Sequence, residues 1–129
     1  MKGLGDHLII EFYECNKEVI NDEVLIKNIL IKAAITAKAS IIDYNFHKFS
    51  PHGVSGAIII AESHFTIHTW PEYGYCAVDI FTCGDLIDNS IALDIIKEGL
   101  EAEYISSIKM KRGLLNLPDN QIRHKPEGS

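Results

Sequence analysis

The fold is decided by residues 64–82, HFTIHTWPEYGYCAVDIFT, in which two alternating segments flank a short turn. Successive side chains of a strand point to opposite sides, so Phe65, Ile67 and Thr69 share one face and the residues between them share the other. Pro71 favours extended backbone in the residue before it, and the residues that follow it are typical of a hairpin turn. We expect two antiparallel strands with one face packed under helices and an open face suited to a binding site or a subunit contact.

The same rules predict further strands and two helices on either side of this segment. Strand-like runs lie at 7–13, 40–49, 54–61, 64–70, 75–82 and 104–111. Asn21 or Asp22 is a natural N-cap for a helix that continues to residue 37, and Asp88 or Asn89 caps a second helix that continues to residue 102. The first helix has one apolar stripe at helical spacing: Ile26, Ile29, Leu30, Ala33 and Ala37. The tail from Pro118 is expected to be loosely ordered.

An internal echo accompanies this order of elements. Residues 10–15 and 78–83 share the pattern apolar, acidic, apolar, aromatic, any residue, Cys, and each is followed by a predicted helix. The echo suggests two β-α-β repeats, although one copy of each half is equally compatible with chance. We expect an α+β fold: a two-layer sandwich in which a mostly antiparallel sheet carries two helices on one face.

Length and composition narrow the class of protein. A chain of 129 residues with 47% hydrophobic residues suits a single domain spanning 1–129. Its net charge of -6 argues against a nucleic-acid partner. No run approaches the roughly 20 apolar residues of a membrane span and no signal peptide is apparent, so we expect a cytoplasmic protein without a membrane partner. Three cysteines in a reducing compartment predict no disulfide.

Reactive side chains are concentrated at residues 62–72 and 81–84. A metal site is not predicted, because the backbones of His64 and His68 stand ~13 Å apart on a strand and no CxxC or HExxH spacing occurs. Ordinary hydrolase chemistry is also unsupported, since Ser63 begins a strand and no G-x-S-x-G elbow surrounds it. Alone, a serine or histidine here would be an ordinary strand residue. A Ser-His pair can instead act on the peptide bond beside it.

Four runs resemble a known family. They are AESHFTIHTWPEYGY at 61–75, DIFTCG at 79–84, GLGDH at 3–7 and HKFSPHGVSG at 47–56. Together they closely resemble the short prokaryotic S-adenosylmethionine decarboxylase proenzymes, and the resemblance extends from the start of the chain to about residue 113.

The resemblance implies that the chain makes its own cofactor by cutting itself. Ser63 would attack the carbonyl of Glu62 in an N-to-O acyl shift, and His68 would assist elimination from the resulting ester. Ser55 resembles a second processing hydroxyl that helps hold the oxyanion at Glu62. Hydrolysis then leaves a pyruvoyl group in place of Ser63. The two fragments would be residues 1–62 and 63–129.

The resemblance also implies roles in catalysis. The pyruvoyl ketone forms a Schiff base with the amine of S-adenosylmethionine and holds the electrons left when CO₂ departs, which gives decarboxylated S-adenosylmethionine for spermidine and other polyamines. Cys83 is the implied proton donor, although Cys15 has the equivalent place in the echo, so pattern alone does not choose between them. Phe49 and Trp70 would stack on the adenine and sulfonium groups, and Glu72 would accept hydrogen bonds from the ribose hydroxyls.

The family further implies a homodimer of processed chains, with two copies of each fragment. Each pocket would be built across the interface, so that Ser63 and Cys83 of one subunit meet the remaining site residues of the other. Two alternatives stay open: the same pyruvoyl chemistry on arginine or ornithine, and an uncleaved, non-enzymatic regulatory homologue. Phe49 and Glu72 favour the nucleoside substrate, because a plain amino acid has neither adenine nor ribose.

Overall fold

The structure, a computed structural model, describes residues 3–61, 63–84 and 86–123. Within these ranges the chain forms six strands and two helices. In chain order they are β1 (Gly5–Tyr13), α1 (Glu23–Thr36), β2 (Ile41–Lys48), β3 (Val54–Ile60), β4 (Ser63–Trp70), β5 (Tyr75–Cys83), α2 (Asn89–Leu100) and β6 (Tyr104–Arg112). Short 3-10 turns lie at Val19–Asn21, Pro71–Tyr73 and Asp119–Gln121.

The strands form one sheet in the order β2-β3-β4-β5-β1-β6, and every neighbouring pair is antiparallel. The two segments that decide the fold, β4 and β5, lie side by side near its centre. They are joined through the turn at Pro71–Tyr73, after which Gly74 adopts a left-handed φ of 61° that a residue without a Cβ reaches at little cost. The two helices cover one face, which confirms the predicted α+β sandwich.

The core lies between the sheet and the helices. Phe65 and Ile67 are fully buried there and Thr69 is 6% exposed, as the alternation in β4 predicts. The predicted stripe of α1 is also on the inner side: four of its positions are fully buried, and Ile29 packs against the core. Burying each large aliphatic side chain stabilises the fold by roughly 1.5–3 kcal/mol relative to leaving it in water. Neither helix of the described residues is long and apolar enough to cross a membrane.

Element boundaries differ from the predictions by one or two residues, with local causes. β1 begins at Gly5 because it pairs with β5 on one side and β6 on the other. Asp22 and Asp88 are the two N-caps, since each carboxylate accepts a hydrogen bond from the backbone N–H three residues on. α2 ends at Leu100 because the next residue, Glu101, is left-handed with φ 55°.

The tail differs more from the prediction. After Pro118 it makes a 3-10 turn, and Ile122 is only 4% exposed. An apolar side chain of this size is stabilised by leaving water, so the tail is held against the domain as far as Ile122. Residues 124–129 lie outside the described residues.

The echoed segments lie next to each other in the sheet, as β1 and β5. Because the two strands are antiparallel, their cysteines lie at opposite ends of the pair. The crossover from β1 to β2 passes three intervening strands, whereas that from β5 to β6 passes one. The two halves therefore differ in topology, and a duplication stays a prediction.

Candidate active site

The first group of site residues lies where β4 begins and β5 ends. The hydroxyl oxygen of Ser63 is 3.2 Å from the sulfur of Cys83, and both side chains are partly buried. Ser63 pairs with Ile60 in the register of β3 and β4, which fixes its backbone at the edge of the hairpin. Glu62, the predicted residue at the cleavage point, lies outside the described residues.

Gly5 lies directly over this group, at the start of β1. A Cβ at this position would come within 2.9 Å of the Cys83 sulfur and 2.6 Å of the Thr82 carbonyl oxygen, closer than real Cβ contacts. The absence of a side chain at Gly5 therefore lets β1 pair closely with β5 and leaves the thiol beside Ser63.

A second group lies at the opposite end of β4. Ser55 on β3 faces His68 on β4 in the sheet register, and the hydroxyl oxygen is 2.7 Å from Nδ1 of the imidazole. The serine O–H donates to Nδ1 when the ring proton is on Nε2. The pair has the geometry of a hydroxyl held beside a base, and it is open to solvent.

This second group is part of a cleft of about 310 Å³, lined by Phe49, His52, Ser55, His68, Trp70 and Glu72 among others. Trp70 and Phe49 are 39% and 49% exposed, so both have ring surface available to a ligand. Behind them, Trp70 stacks on Tyr75, with ring centroids 5.2 Å apart. Flat rings beside a carboxylate suit a ligand that combines an aromatic or cationic part with hydroxyl donors.

The two groups do not meet within one chain. Ser63 and His68 are five positions apart on the same strand, which separates their backbones by about 16 Å at ~3.3 Å per residue. Phe49, Ser55, Trp70 and Glu72 lie with His68 at the far end. The structure thus divides the predicted site into a Ser63-Cys83 half and a cleft half.

The cysteines of the echo are in different surroundings. Cys15 is buried next to Cys76, whose thiol donates a hydrogen bond to it and lowers the pKa of Cys15. That interaction, together with burial, raises the pKa of Cys76. Cys83 is the cysteine adjacent to Ser63, a distinction that the sequence pattern does not make.

A polar row crosses the open face between the two groups, and sequence reasoning missed it. Asp79 accepts a hydrogen bond from Thr66 at 3.2 Å and pairs with Nε2 of His7 at 3.1 Å. Arg112 lies 3.2 Å from the other nitrogen of His7. Burial, reinforced by His7, lowers the pKa of the neighbouring His64. Alternation along each strand predicted which residues lie on the open face. It could not predict which of them pair, because the paired residues come from strands that are distant in the sequence.

A second polar contact on the open face joins β5 to β1. The phenol of Tyr75 donates a hydrogen bond to the carboxylate of Glu11. Burial and this carboxylate raise the pKa of Tyr75. Within 3–61, 63–84 and 86–123, no group of three or more His, Cys, Asp or Glu side chains is placed to hold a metal ion.

Comparison with known proteins identifies the family. The model of a family described as S-adenosylmethionine decarboxylase matches residues 6–113. The chain belongs to the S-adenosylmethionine decarboxylase family. It is 50% identical over 125 residues to a protein of Thermodesulfovibrio yellowstonii named S-adenosylmethionine decarboxylase proenzyme, covering 97% of this chain and 93% of that one. A protein of the same name from Caldicellulosiruptor saccharolyticus is 50% identical over 118 residues, 92% of this chain and 95% of the relative.

A solved structure agrees with this assignment. The crystal structure of the adenosylmethionine decarboxylase from Aquifex aeolicus matches with a TM-score of 0.85 and 33% identity, covering 94% of this chain and all of that one. The resemblance drawn from the sequence motifs, and the expectation that the protein is an enzyme, are confirmed. Both groups of site residues fall within the part that matches the S-adenosylmethionine decarboxylase family model.

Proposed function

We propose that this protein is a self-cleaving, pyruvoyl-dependent decarboxylase that converts S-adenosylmethionine to its decarboxylated form and CO₂, for the synthesis of spermidine and other polyamines. The observation that carries the proposal is the contact of Ser63 with Cys83, 3.2 Å apart, in a chain whose relatives are named as proenzymes. In the proposed activation, the proenzyme cuts its own chain and changes one residue chemically. Ser63 is the nucleophile at the predicted cleavage point.

Self-cleavage would use the backbone next to Ser63. Its oxygen forms an ester with the carbonyl carbon of Glu62 while the peptide C–N bond breaks. Loss of the Ser63 α-proton then expels the Glu62 carboxylate, and water replaces the nitrogen, which leaves as ammonia. Two observations support this route. Ser63 is the first residue of β4, and the sulfur of Cys83 lies beside its hydroxyl. The pyruvoyl group supplies an electron sink when carbon dioxide leaves the substrate.

Cys83 would return a proton to the α-carbon of the substrate. A thiol can act as a general acid towards a carbon that needs a proton. The position of Cys83 beside Ser63 supports this role, whereas Cys15 is buried beside Cys76. We assign His68 and Ser55 to the processing step, as base and oxyanion donor. Their 2.7 Å contact supports these roles when Nδ1–H donates to the Ser55 oxygen, because the serine O–H and Nε2 of His68 are then available.

The cleft half would bind the nucleoside part of the substrate. Phe49 and Trp70 offer rings to the adenine and the sulfonium, and Glu72 offers a carboxylate to the ribose hydroxyls. These three residues line one cleft, which supports S-adenosylmethionine over arginine or ornithine.

A homodimer of processed chains would join the two halves. The 16 Å or so that separates Ser63 from His68 along β4 cannot be closed within one sheet. A two-fold axis through the open face would bring the Ser63-Cys83 half of one subunit against the cleft half of the other, twice per dimer. The open face carries exposed Ile9, Ile108 and Met110, and apolar side chains of this kind are suited to burial in a subunit contact.

Denaturing mass spectrometry of freshly purified protein tests the self-cleavage. We expect one fragment ending at Glu62 and a second beginning with a blocked residue 63. Ser63→Ala should remain full length, because it lacks the attacking oxygen, and Ser107→Ala on exposed β6 is the matched control that should be cleaved. An intact wild-type chain, or a cleaved Ser63→Ala chain, would count against the proposal.

Release of labelled carbon dioxide tests the substrate. We expect activity with S-adenosylmethionine and none with arginine or ornithine. A cleaved protein that acts on either amino acid alone would retain the pyruvoyl proposal and overturn the substrate assignment.

A further inference from the structure

The loop between β2 and β3 forms one wall of the cleft and is fastened at its end. The Phe49 N–H donates to the Gly53 carbonyl at 2.8 Å, which closes the loop on itself. The Gly53 N–H donates to the Asn21 side chain at 3.0 Å, and the Val54 N–H donates to the Thr69 hydroxyl at 2.9 Å. The base of the loop is therefore held by the body of the domain.

His52, in this loop, reaches across to the turn that follows β4. Its Nε2 is 3.0 Å from the Glu72 carboxylate, and the two side chains are 38% and 37% exposed. The Glu72 backbone N–H, and His52 to a lesser degree, lower the pKa of this carboxyl. Glu72 is therefore ionised at neutral pH and has a donor on the opposite wall.

We propose that His52 is a positioning residue that holds the Glu72 carboxylate for the vicinal hydroxyls of a ribose. The inference rests on the proposed function, because it takes the ligand to be a nucleoside. An ionised carboxylate has about four acceptor positions, so it can keep its contact with His52 and still accept from two hydroxyls. A side chain already held in its binding orientation loses less conformational freedom when the ligand arrives.

Loss of the contact between His52 and Glu72 should weaken binding of the ribose selectively, and not binding of every part of the ligand. Without His52, the Glu72 carboxylate keeps only its backbone N–H contact, so more of its ordering must come from the ligand. Binding of ribose is then weaker, whereas the adenine contacts are unchanged. Because the pair is partly exposed, we expect an effect of about fivefold, near the upper end for such ion pairs. His52→Gln keeps a neutral donor in the loop and should recover most of the loss.

Binding of 5′-methylthioadenosine and of its 2′,3′-dideoxy counterpart to the purified protein tests the proposal. Trp70 is the chain's single tryptophan and lines the cleft, so its fluorescence reports binding directly. We expect His52→Ala to weaken binding of the first nucleoside about fivefold and of the second by less than twofold. In a Glu72→Gln background, His52→Ala should have no further effect. Tyr73→Ala, in the same turn and 75% exposed, is the control for disturbance of the turn.

Kinetics provide a second readout. His52→Ala should raise KM for S-adenosylmethionine about fivefold with kcat within twofold of wild type, because Glu72 would bind the ribose, which lies away from the bond that breaks in the substrate. Equal weakening of both nucleosides, an additive effect with Glu72→Gln, or a wild-type protein that binds neither nucleoside would overturn the proposal. An uncleaved wild-type chain that still discriminates the two nucleosides through His52 would reject the decarboxylase and retain this role.

Discussion

His64 lies at the start of β4 on the open face, in surroundings that disfavour its charged form. The groups that face it are His7, with ring centroids 6.2 Å apart, Phe81 at 5.6 Å, Asp79 and Arg112. Burial is the largest cause of the lowered pKa, His7 and Arg112 lower it further, and Asp79 opposes them. The imidazole is therefore neutral in the folded protein at a pH where an unfolded chain would protonate it.

The sign of the pH effect follows from this difference. Below the unfolded pKa of about 6.5, the unfolded chain binds more protons at His64 than the folded chain does, so stability falls as pH falls towards the folded pKa. We expect the urea midpoint of wild type to decrease between pH 7.5 and 5.5 by more than that of His64→Gln, which does not titrate. Both proteins must be measured at one concentration, because association also affects stability. Parallel losses in the two proteins would contradict the prediction.

At the scale of elements, Thr69 connects β4 to both segments that support the cleft. Its hydroxyl donates to the Ile20 carbonyl at 2.7 Å and accepts from the Val54 N–H at 2.9 Å, and the residue is 6% exposed. Valine has the same shape without the hydroxyl, so Thr69→Val would leave a buried donor and a buried acceptor unpaired. We expect a loss of about 1–3 kcal/mol in the free energy of unfolding by urea titration.

Thr36→Val is the matched control for this loss. Thr36 is the last residue of α1 and is exposed, so the same substitution there should change stability little. Equal unfolding midpoints for Thr69→Val and wild type would mean that the hydroxyl does not hold the two segments together.

Local pattern was sufficient to predict most elements, because alternation and capping act over a few residues. Phe65, Ile67 and the stripe of α1 are buried as their spacing predicts. The order of strands could not be read in this way, since it depends on contacts such as that of His7 with Asp79, 72 positions apart. The same limit applies to His52 and Glu72, which lie in separate loops and show no shared pattern.

The site itself illustrates how sequence proximity can mislead. Ser63 and His68 lie in one short motif and read as one constellation, yet an extended strand places them about 16 Å apart. Conversely, Ser63 and Cys83 are twenty positions apart and in contact, because β4 and β5 are antiparallel neighbours. The chemistry of the residue types was readable from the sequence, whereas their grouping came only from the family resemblance until the sheet register gave it a physical basis.

At the scale of the whole molecule, the division of the site has a consequence for mixed dimers. In the proposed assembly, each pocket takes Ser63 and Cys83 from one subunit and Phe49 and Glu72 from the other. A defect in one half of a chain therefore damages only one of the two pockets that the chain helps to build. If the partner has its defect in the opposite half, both defects fall in that same pocket and the other pocket is intact.

We expect coexpressed Cys83→Ala and Phe49→Ala/Glu72→Gln chains, each inactive alone, to recover activity together. Random pairing makes half of the dimers mixed, and each mixed dimer has one intact pocket of two, so the mixture should reach about one quarter of wild-type activity. The control mixes Cys83→Ala with Ser63→Ala. Both defects then lie in the same half, every pocket lacks one group, and no activity should return. Decarboxylation of S-adenosylmethionine by the copurified dimers is the measurement. If the site were complete within one chain, the first mixture would be as inactive as the control, because no chain in it would have all four residues.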